Sequence, residues 1–165
     1  MEAVKLASSR LTDFKGRSRR SEFWWWMFLV IILQEVLSVF FGNLYVAATV
    51  ATLVMFLGLG VTVRRLQDTG HSAVWVYVSY LLGIVYQFYM ASSTFMHKLT
   101  EMASSADFDV DKIVKLAEKS AGEMGILSMV SLAWTIVSLV VIVFCLIDGK
   151  PEANKYGESP KYYEA

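Results

Sequence analysis

The sequence contains a single cysteine and few signs of catalytic chemistry. Cys145 has no intramolecular partner for a disulfide bond, and its position in an apolar run predicts a buried, inert thiol. No serine, cysteine or lysine stands in a recognisable nucleophile motif, and no glycine-rich loop follows a predicted strand. We therefore expect a protein that is not an enzyme and that has no cofactor, no metal ion and no nucleic-acid partner.

Charged residues are nearly absent from four long segments of the chain. The hydrophobic content is 56%, above the roughly 45–50% apolar content of soluble domains. Spanning a bilayer takes about 20 mainly apolar residues per helix, because lipid offers the backbone no hydrogen-bond partners. The sequence therefore predicts an all-α integral membrane protein with four transmembrane helices, at about 23–41, 44–63, 73–95 and 125–147.

Lysine and arginine are unevenly distributed over the remaining segments. Segment 1–22 contains six, turn 64–72 two and tail 148–165 three, whereas the 42–43 turn contains none. The 96–124 connection contains four, together with six acidic residues. Lys and Arg are enriched on the cytoplasmic side of membrane proteins. The eleven in segments 1–22, 64–72 and 148–165, against four in the 96–124 connection, therefore predict that both termini are cytoplasmic. His71 and His97 then lie on opposite sides of the membrane and cannot share a metal ion.

The segments outside the apolar runs are too short to be domains. Each contains about 30 residues or fewer, too few for an independent core. We expect one membrane domain over 1–165, with a basic cytoplasmic N-terminal segment at 1–22, an outer connection at 96–124 and a cytoplasmic tail at 148–165. The first apolar run starts after residue 22 and is too long for a cleaved signal peptide, so it predicts a retained signal anchor.

Two of these short segments have helical periodicity. Apolar residues between positions 3 and 14 are interspersed with Lys5 and Arg10, which suits either an interfacial helix or a frayed tail. In the outer connection, apolar positions from 110 to 121 predict a short amphipathic helix capped by Asp107 or Asp109. Gly122 and Gly125 are expected to break this pattern.

Three charged clusters lie at the predicted cytoplasmic ends of the helices: DFKGRSRRSEFWWW (13–26), VRRLQDTG (63–70) and LIDGKPEANKYGESPKYY (146–163). They have a structural interpretation, in which ion pairs fix the helix ends. Arg64 then pairs with Asp68 at i, i+4, and either Arg17 or Arg20 pairs with Glu22 or Asp148. Gly70 ends the second helix in a left-handed conformation.

The same clusters have a functional interpretation, in which an arginine remains unpaired for an anionic ligand. The planar guanidinium matches a phosphate, and the inner leaflet is negatively charged, so a phospholipid headgroup is the natural ligand. A partner protein or a second copy of the chain is the other candidate. Trp24, Trp25 and Trp26 point in three directions on a helix, so at least one must face protein. The candidate lipid- or anion-binding residues are Arg17, Arg20, Arg64, Arg65, Trp24 and Trp75.

Three blocks, FKGRSRRSEFWW, VRRLQDTGHSAVW and DGKPEANKYGESP, resemble the family of small bacterial inner-membrane proteins catalogued as domain of unknown function 805. With the apolar helices between them, they cover the chain from Phe14 to Lys161. The resemblance implies a four-helix, multi-pass protein of the bacterial inner (plasma) membrane, without an established activity. Gln67 stands where a histidine is common in the family and Ala73 where a glycine is usual. The first departure argues against a metal or proton-transfer role at position 67.

Glu35 suggests an alternative function. It lies beyond the middle of the first predicted helix, where an acidic side chain is by default a functional candidate. A small oligomeric transporter or channel would use such a carboxylate. Against this, the short Gly42–Asn43 turn brings the outer interface within two helical turns of Glu35, and four helices leave little room for an alternating-access pathway unless the chain oligomerises.

Overall fold

The computed structural model describes residues 2–105 and 109–160, and all regular secondary structure in this part of the chain is α-helical. An isolated bridge between Asn154 and Gly157 orders the tail. The helices are α1 (Glu2–Ser9), α2 (Arg20–Ser38), α3 (Leu44–Asp68), α4 (Val74–Ser92), α5 (Thr94–Ser104), α6 (Val110–Lys119) and α7 (Ala121–Leu146).

The four predicted apolar helices correspond to α2, α3, α4 and α7, but their ends differ from the predicted bounds. The helix α2 begins and ends three residues earlier than expected, so the connection to α3 is 39–43 rather than two residues. Residues 64–68 continue α3, because their side chains find protein partners that stabilise an additional helical turn. The helix α7 begins at Ala121, so Gly122 and Gly125 do not interrupt it. An isolated glycine costs only about 1 kcal/mol in a helix, which a long apolar segment offsets.

The outer connection contains two helices rather than one. Ser93 has an extended backbone that ends α4, and its hydroxyl accepts a hydrogen bond from the Met96 amide at 3.2 Å, which caps α5. The predicted amphipathic helix forms as α6, where the Asp109 carboxylate caps it by accepting from the Asp111 amide at 2.9 Å. The alternative cap, Asp107, lies outside the described residues. At the N-terminus, residues 2–9 form the helix α1.

The long helices pack in chain order, with α2 against α3, α3 against α4, and α4 against α7. The 39–43 connection makes α2 and α3 antiparallel, and Asn43 caps α3 by accepting from the Tyr45 and Val46 amides. Trp26 faces α3 and donates to the Leu57 carbonyl at 2.8 Å, so one of the three consecutive tryptophans does face protein. A buried cluster joins the beginning of α2 and α4 to the end of α3 and α7: Phe23, Val61, Val63, Leu66, Val76, Val141 and Cys145.

Three helices of the described chain, α3, α4 and α7, are long and apolar enough to cross a membrane. Their outer surfaces expose large apolar side chains, among them Leu53, Leu81 and Met129. Such extended apolar surfaces are rare on soluble monomers. The helices therefore indicate a membrane protein. The fourth predicted span, α2, is not among the three, and it carries Arg20, Glu22 and Glu35.

Candidate binding site at the charged end of the bundle

The three charged clusters of the sequence meet at one end of the helix bundle, formed by residues 10–22, 64–70 and 145–160 and called the charged end below. Asp68, in the last turn of α3, contacts all three segments. Its carboxylate accepts from Arg17 Nε at 2.7 Å, and its carbonyl accepts from the Lys150 amide at 3.1 Å. The antiparallel order of the helices brings these distant segments together.

Arg64 is completely buried and is surrounded by groups from the N-terminal segment. Its Nη2 lies 3.0 Å from Glu22 Oε1, and its Nε donates to the Ser18 hydroxyl at 2.9 Å. Its Nη1 donates to the carbonyls of Arg10 and Asp13, at 2.6 and 2.5 Å. Every guanidinium nitrogen of Arg64 is therefore engaged by protein.

Arg65 points in a different direction from Arg64, because successive residues on a helix are rotated by about 100°. Its Nη1 lies 2.5 Å from Asp68 Oδ2, its Nε donates to the Cys145 carbonyl at 3.1 Å, and its Nη2 donates to the Ile147 carbonyl at 2.5 Å. The predicted pair between Arg64 and Asp68 is therefore wrong. Asp68 pairs with Arg65 at i, i+3, while Arg64 points towards Glu22.

Arg17 completes this buried network from the N-terminal segment. Besides Asp68, it donates to the carbonyls of Glu152 at 2.9 Å and of Lys150. One carboxylate, Asp68, thus neutralises two guanidinium groups, and backbone carbonyls satisfy their remaining N–H groups. Hydrogen bonds to charged groups stabilise more than neutral ones, at about 1.5–3 kcal/mol each. The network fixes the segment around Arg17 and residues 145–152 against α3.

Two glycines allow the segments to approach α3 this closely. A Cβ atom on Gly149 would lie 2.0 Å from Asp68 Oδ2, and one on Gly60 would lie 2.4 Å from the Leu11 carbonyl oxygen. Neither distance is compatible with a side chain. The sequence did not reveal this packing role of Gly149. Glycine is common next to charged residues, so its position in the sequence does not indicate close packing.

Gln67 and Asn154 are further residues of this end, and neither was predicted as a site residue. Gln67 Nε2 donates to the Phe14 carbonyl at 3.0 Å, and Asn154 Nδ2 donates to the Gln67 carbonyl at 2.9 Å. Nearby, the His71 ring stacks on Phe144 with 3.8 Å between ring centroids. These contacts tie the tail and the 69–73 turn to the bundle.

The N-terminal segment is held by a local turn around Asp13. Its Oδ1 accepts from the Lys15 amide at 3.0 Å, and its Oδ2 accepts from Arg10 Nη2 at 2.8 Å. The Lys15 amide and the Arg10 guanidinium together hold the pKa of the Asp13 carboxyl below its usual value of 3.8. The turn therefore favours the ionised carboxylate and presents the Asp13 carbonyl to Arg64.

Not all the predicted site residues are buried. Arg17, Arg64 and Arg65 are each at most 5% exposed, whereas Arg20, Trp24 and Trp75 lie at the surface. Arg20 Nη1 lies 3.1 Å from Asp148 Oδ1 in an exposed ion pair. Glu22, Asp68 and Asp148, the three predicted acidic partners, thus each contact an arginine.

A polar cleft of about 380 Å³ opens beside this exposed ion pair. It lies between the beginning of α2, the end of α3 and the tail. Arg20 Nε and Nη2 have no hydrogen-bond partner within the described residues, so they are available to a ligand. The lining residues are Arg19, Arg20, Ser21, Arg65, Asp68, Asp148, Gly149, Ser159 and Pro160.

Glu35 lies in a different part of the molecule. It lines an apolar cavity of about 520 Å³ formed by α2, α3, α4 and α7, with a contribution from α5. Within the part of the chain that the structure describes, no three His, Cys, Asp or Glu side chains are grouped as a metal site.

The model of the family described as "Protein of unknown function (DUF805)" matches residues 11–158, so the chain belongs to this family. The resemblance of the three sequence blocks is thereby confirmed. Searches of the curated proteins and of the solved structures gave no significant match.

Proposed function

We propose that this member of the DUF805 family is a four-span protein of the bacterial inner membrane that binds anionic phospholipid headgroups at its charged end, without catalytic activity. The fourth span in this proposal is α2. It packs antiparallel to α3, and its surface exposes apolar side chains such as Phe28 and Ile31, which suit contact with lipid.

The distribution of basic residues supports cytoplasmic termini. Eleven of the 15 lysines and arginines belong to segments 1–22, 64–72 and 148–165. Residues 10–22, 64–70 and 148–160 of these segments meet at the charged end. The positive-inside rule then assigns this end to the cytoplasm. Trp24, Trp25 and Trp75 are exposed near the same end, at the depth where aromatic side chains contact headgroups.

The observation that carries the lipid-binding proposal is the environment of Arg20. Two of its guanidinium nitrogens have no partner in the described chain, and the residue lies in the first turn of α2 beside the polar cleft. A guanidinium fork matches phosphate, and a helix N-terminus also favours an anion. The negatively charged inner leaflet supplies such a ligand at this depth.

The buried arginines have a supporting role in this proposal. Arg17, Arg64 and Arg65 do not reach a headgroup, since protein oxygens surround them. They position the walls of the cleft by attaching the N-terminal segment and the tail to α3. The lipid-binding residues are then Arg20, with Trp24 and Trp75 beside it at the interface.

Native mass spectrometry from mild detergent tests this proposal with Arg20→Gln. Losing charge-assisted hydrogen bonds of about 1.5–3 kcal/mol predicts at least about a tenfold weaker retention of an anionic phospholipid. Lys15→Gln is the matched control, because Lys15 is an exposed basic residue outside the cleft and its side chain has no partner in the described chain. Equal retention by wild type and both variants contradicts the lipid site and favours a protein partner or a second copy at this end.

A second candidate function is a small oligomeric transporter or channel that uses Glu35. The observation that favours it is the cavity of about 520 Å³ in whose wall Glu35 lies. Glu35→Gln should abolish proton-dependent flux in proteoliposomes and should leave lipid retention at the charged end unchanged. Unaltered flux in this variant contradicts the transport function.

A further inference from the structure

The apolar cavity has the composition of a ligand pocket. Its volume of about 520 Å³ falls within the range of roughly 300–1,000 Å³ that is usual for small-molecule sites. Its wall consists mainly of apolar and aromatic side chains, and it includes Ile31, which is 54% exposed. The cavity therefore reaches the outer surface of the bundle, on the side of α2 that faces lipid in the proposed topology.

Three polar side chains in this wall lack adequate protein partners. Neither Gln34 nor Glu35 has a side-chain hydrogen bond to another described residue. The Gln87 amide makes only long contacts, 3.5 Å to the Thr52 hydroxyl and 3.9 Å to the Met55 sulfur. Gln34 and Gln87 are half-buried and Glu35 is exposed, so all three side chains are accessible to a ligand that enters the cavity.

The charge of Glu35 indicates which class of molecule would bind to these three side chains. Glu35 is the single charged residue among those that line the cavity in the described chain. Glu35 lies in the last turn of α2, at the edge of this apolar cavity, and the group that complements a carboxylate there is a cation. Gln34 and Gln87 provide further oxygens that accept hydrogen bonds from an ammonium group.

We propose that this cavity binds a hydrophobic amine, with the apolar body against α3 and α4 and the ammonium group at Glu35. Tyr80, Tyr86 and Trp134 add aromatic surface to the wall, which favours cationic ligands over neutral ones of the same shape. This inference deepens the Glu35 candidate function, but it requires binding only and not transport. It is independent of the lipid site at the charged end.

Binding can be measured with para-butylbenzylamine on the full chain in lipid nanodiscs, using quenching of tryptophan fluorescence or the shift in the thermal unfolding midpoint. The uncharged para-butylbenzyl alcohol has the same apolar body and serves as the ligand control. We expect wild type to bind the amine at least about tenfold more tightly than the alcohol, the ratio that a charge-assisted hydrogen bond provides.

Glu35→Gln should remove this preference by weakening the amine while leaving the alcohol unchanged. Glu101→Gln is the matched control, because Glu101 is an exposed carboxylate of α5 that does not line the cavity. Ala51→Phe fills the cavity and should weaken both ligands. The inference is overturned if wild type binds neither ligand, if it binds both equally, or if Glu35→Gln retains the preference. Lipid retention at the charged end, measured on the same variants, reports separately on the first proposal.

Discussion

At the charged end, buried guanidinium groups are surrounded by carboxylates and carbonyls, whereas in the cavity between α2, α3 and α4 the polar side chains have long contacts or none. Arg64 alone donates to four protein groups, but Glu35 accepts from none in the described chain. A buried charged group with complete partners fixes a fold, whereas an accessible one without protein partners, such as the exposed Glu35, is available to a ligand. The burial and pairing of charged side chains therefore separate the two regions. Hydrogen-bond satisfaction alone does not, because Gln67 Oε1 at the charged end is buried without a partner among the described residues.

This distinction changes how the arginines of the chain are understood. From the sequence, Arg17, Arg20, Arg64 and Arg65 are equal candidates for binding an anion. The structure buries three of them with protein partners and leaves only Arg20 with unpartnered nitrogens at the surface. The cost of burying a charge is offset only when the remaining N–H groups are also satisfied. The buried network therefore attaches the N-terminal segment and the beginning of the tail to α3, and the proposed lipid site lies at the edge of this network.

The largest effect is expected from Asp68→Asn. This substitution leaves Arg17 and Arg65 buried without a counter-charge, and breaking a buried pair typically costs about 3–5 kcal/mol of unfolding free energy. Asp148→Asn, in the exposed pair with Arg20, should cost only about 0–1 kcal/mol. Denaturant unfolding of both variants in one detergent measures the difference. Equal losses would show that burial does not distinguish the two ion pairs.

Gly149→Ala tests the close packing of the charged end. The added Cβ would overlap the Asp68 carboxylate, and overpacking of this kind costs typically about 1–3 kcal/mol. Gly122→Ala is the control inside α7, where a Cβ meets no heavy atom within 4 Å. It should instead stabilise the helix by up to about 1 kcal/mol. Thermal unfolding midpoints should therefore shift in opposite directions, and a shift in the same direction contradicts the assigned packing.

Two glutamines provide a direct comparison of the regions. Gln67→Leu removes the hydrogen bond to the Phe14 carbonyl and leaves that acceptor unpaired, at a cost of about 1–3 kcal/mol. Loss of the buried, unpartnered Gln67 Oε1 offsets this cost only in part. Gln87→Leu removes only long contacts and should change the stability of the ligand-free protein by less than about 1 kcal/mol in either direction. Measuring the unfolding free energies of the two variants tests this difference in stability. A larger loss for Gln87→Leu would mean that its amide is well satisfied in the native protein.

The meeting of the three charged clusters could be predicted from sequence, because antiparallel helices joined by short turns return their ends to the same side. The partner of Arg64 could not be predicted. The i, i+4 spacing along α3 favours Asp68, whereas the observed partner, Glu22, depends on where the N-terminal segment lies. The separate helix α5 was missed because the apolar character continues through Ser93 and Thr94, and the break depends on one extended residue. The cavity was missed for a related reason, as an unfilled volume depends on how four helices pack.

The smallest effect concerns acid stability at the Asp13 turn. The Lys15 amide and Arg10 lower the pKa of Asp13 in the folded protein, so the folded state favours the ionised carboxylate. Its contribution to stability is fully present above the unfolded value near 3.8 and is lost as the pH falls through the folded pKa. The difference in unfolding midpoint between wild type and Asp13→Asn should therefore be largest at neutral pH and disappear in acid. A difference that does not depend on pH would show that the turn acts through its shape and that the charge of Asp13 contributes nothing to holding the N-terminal segment on Arg64.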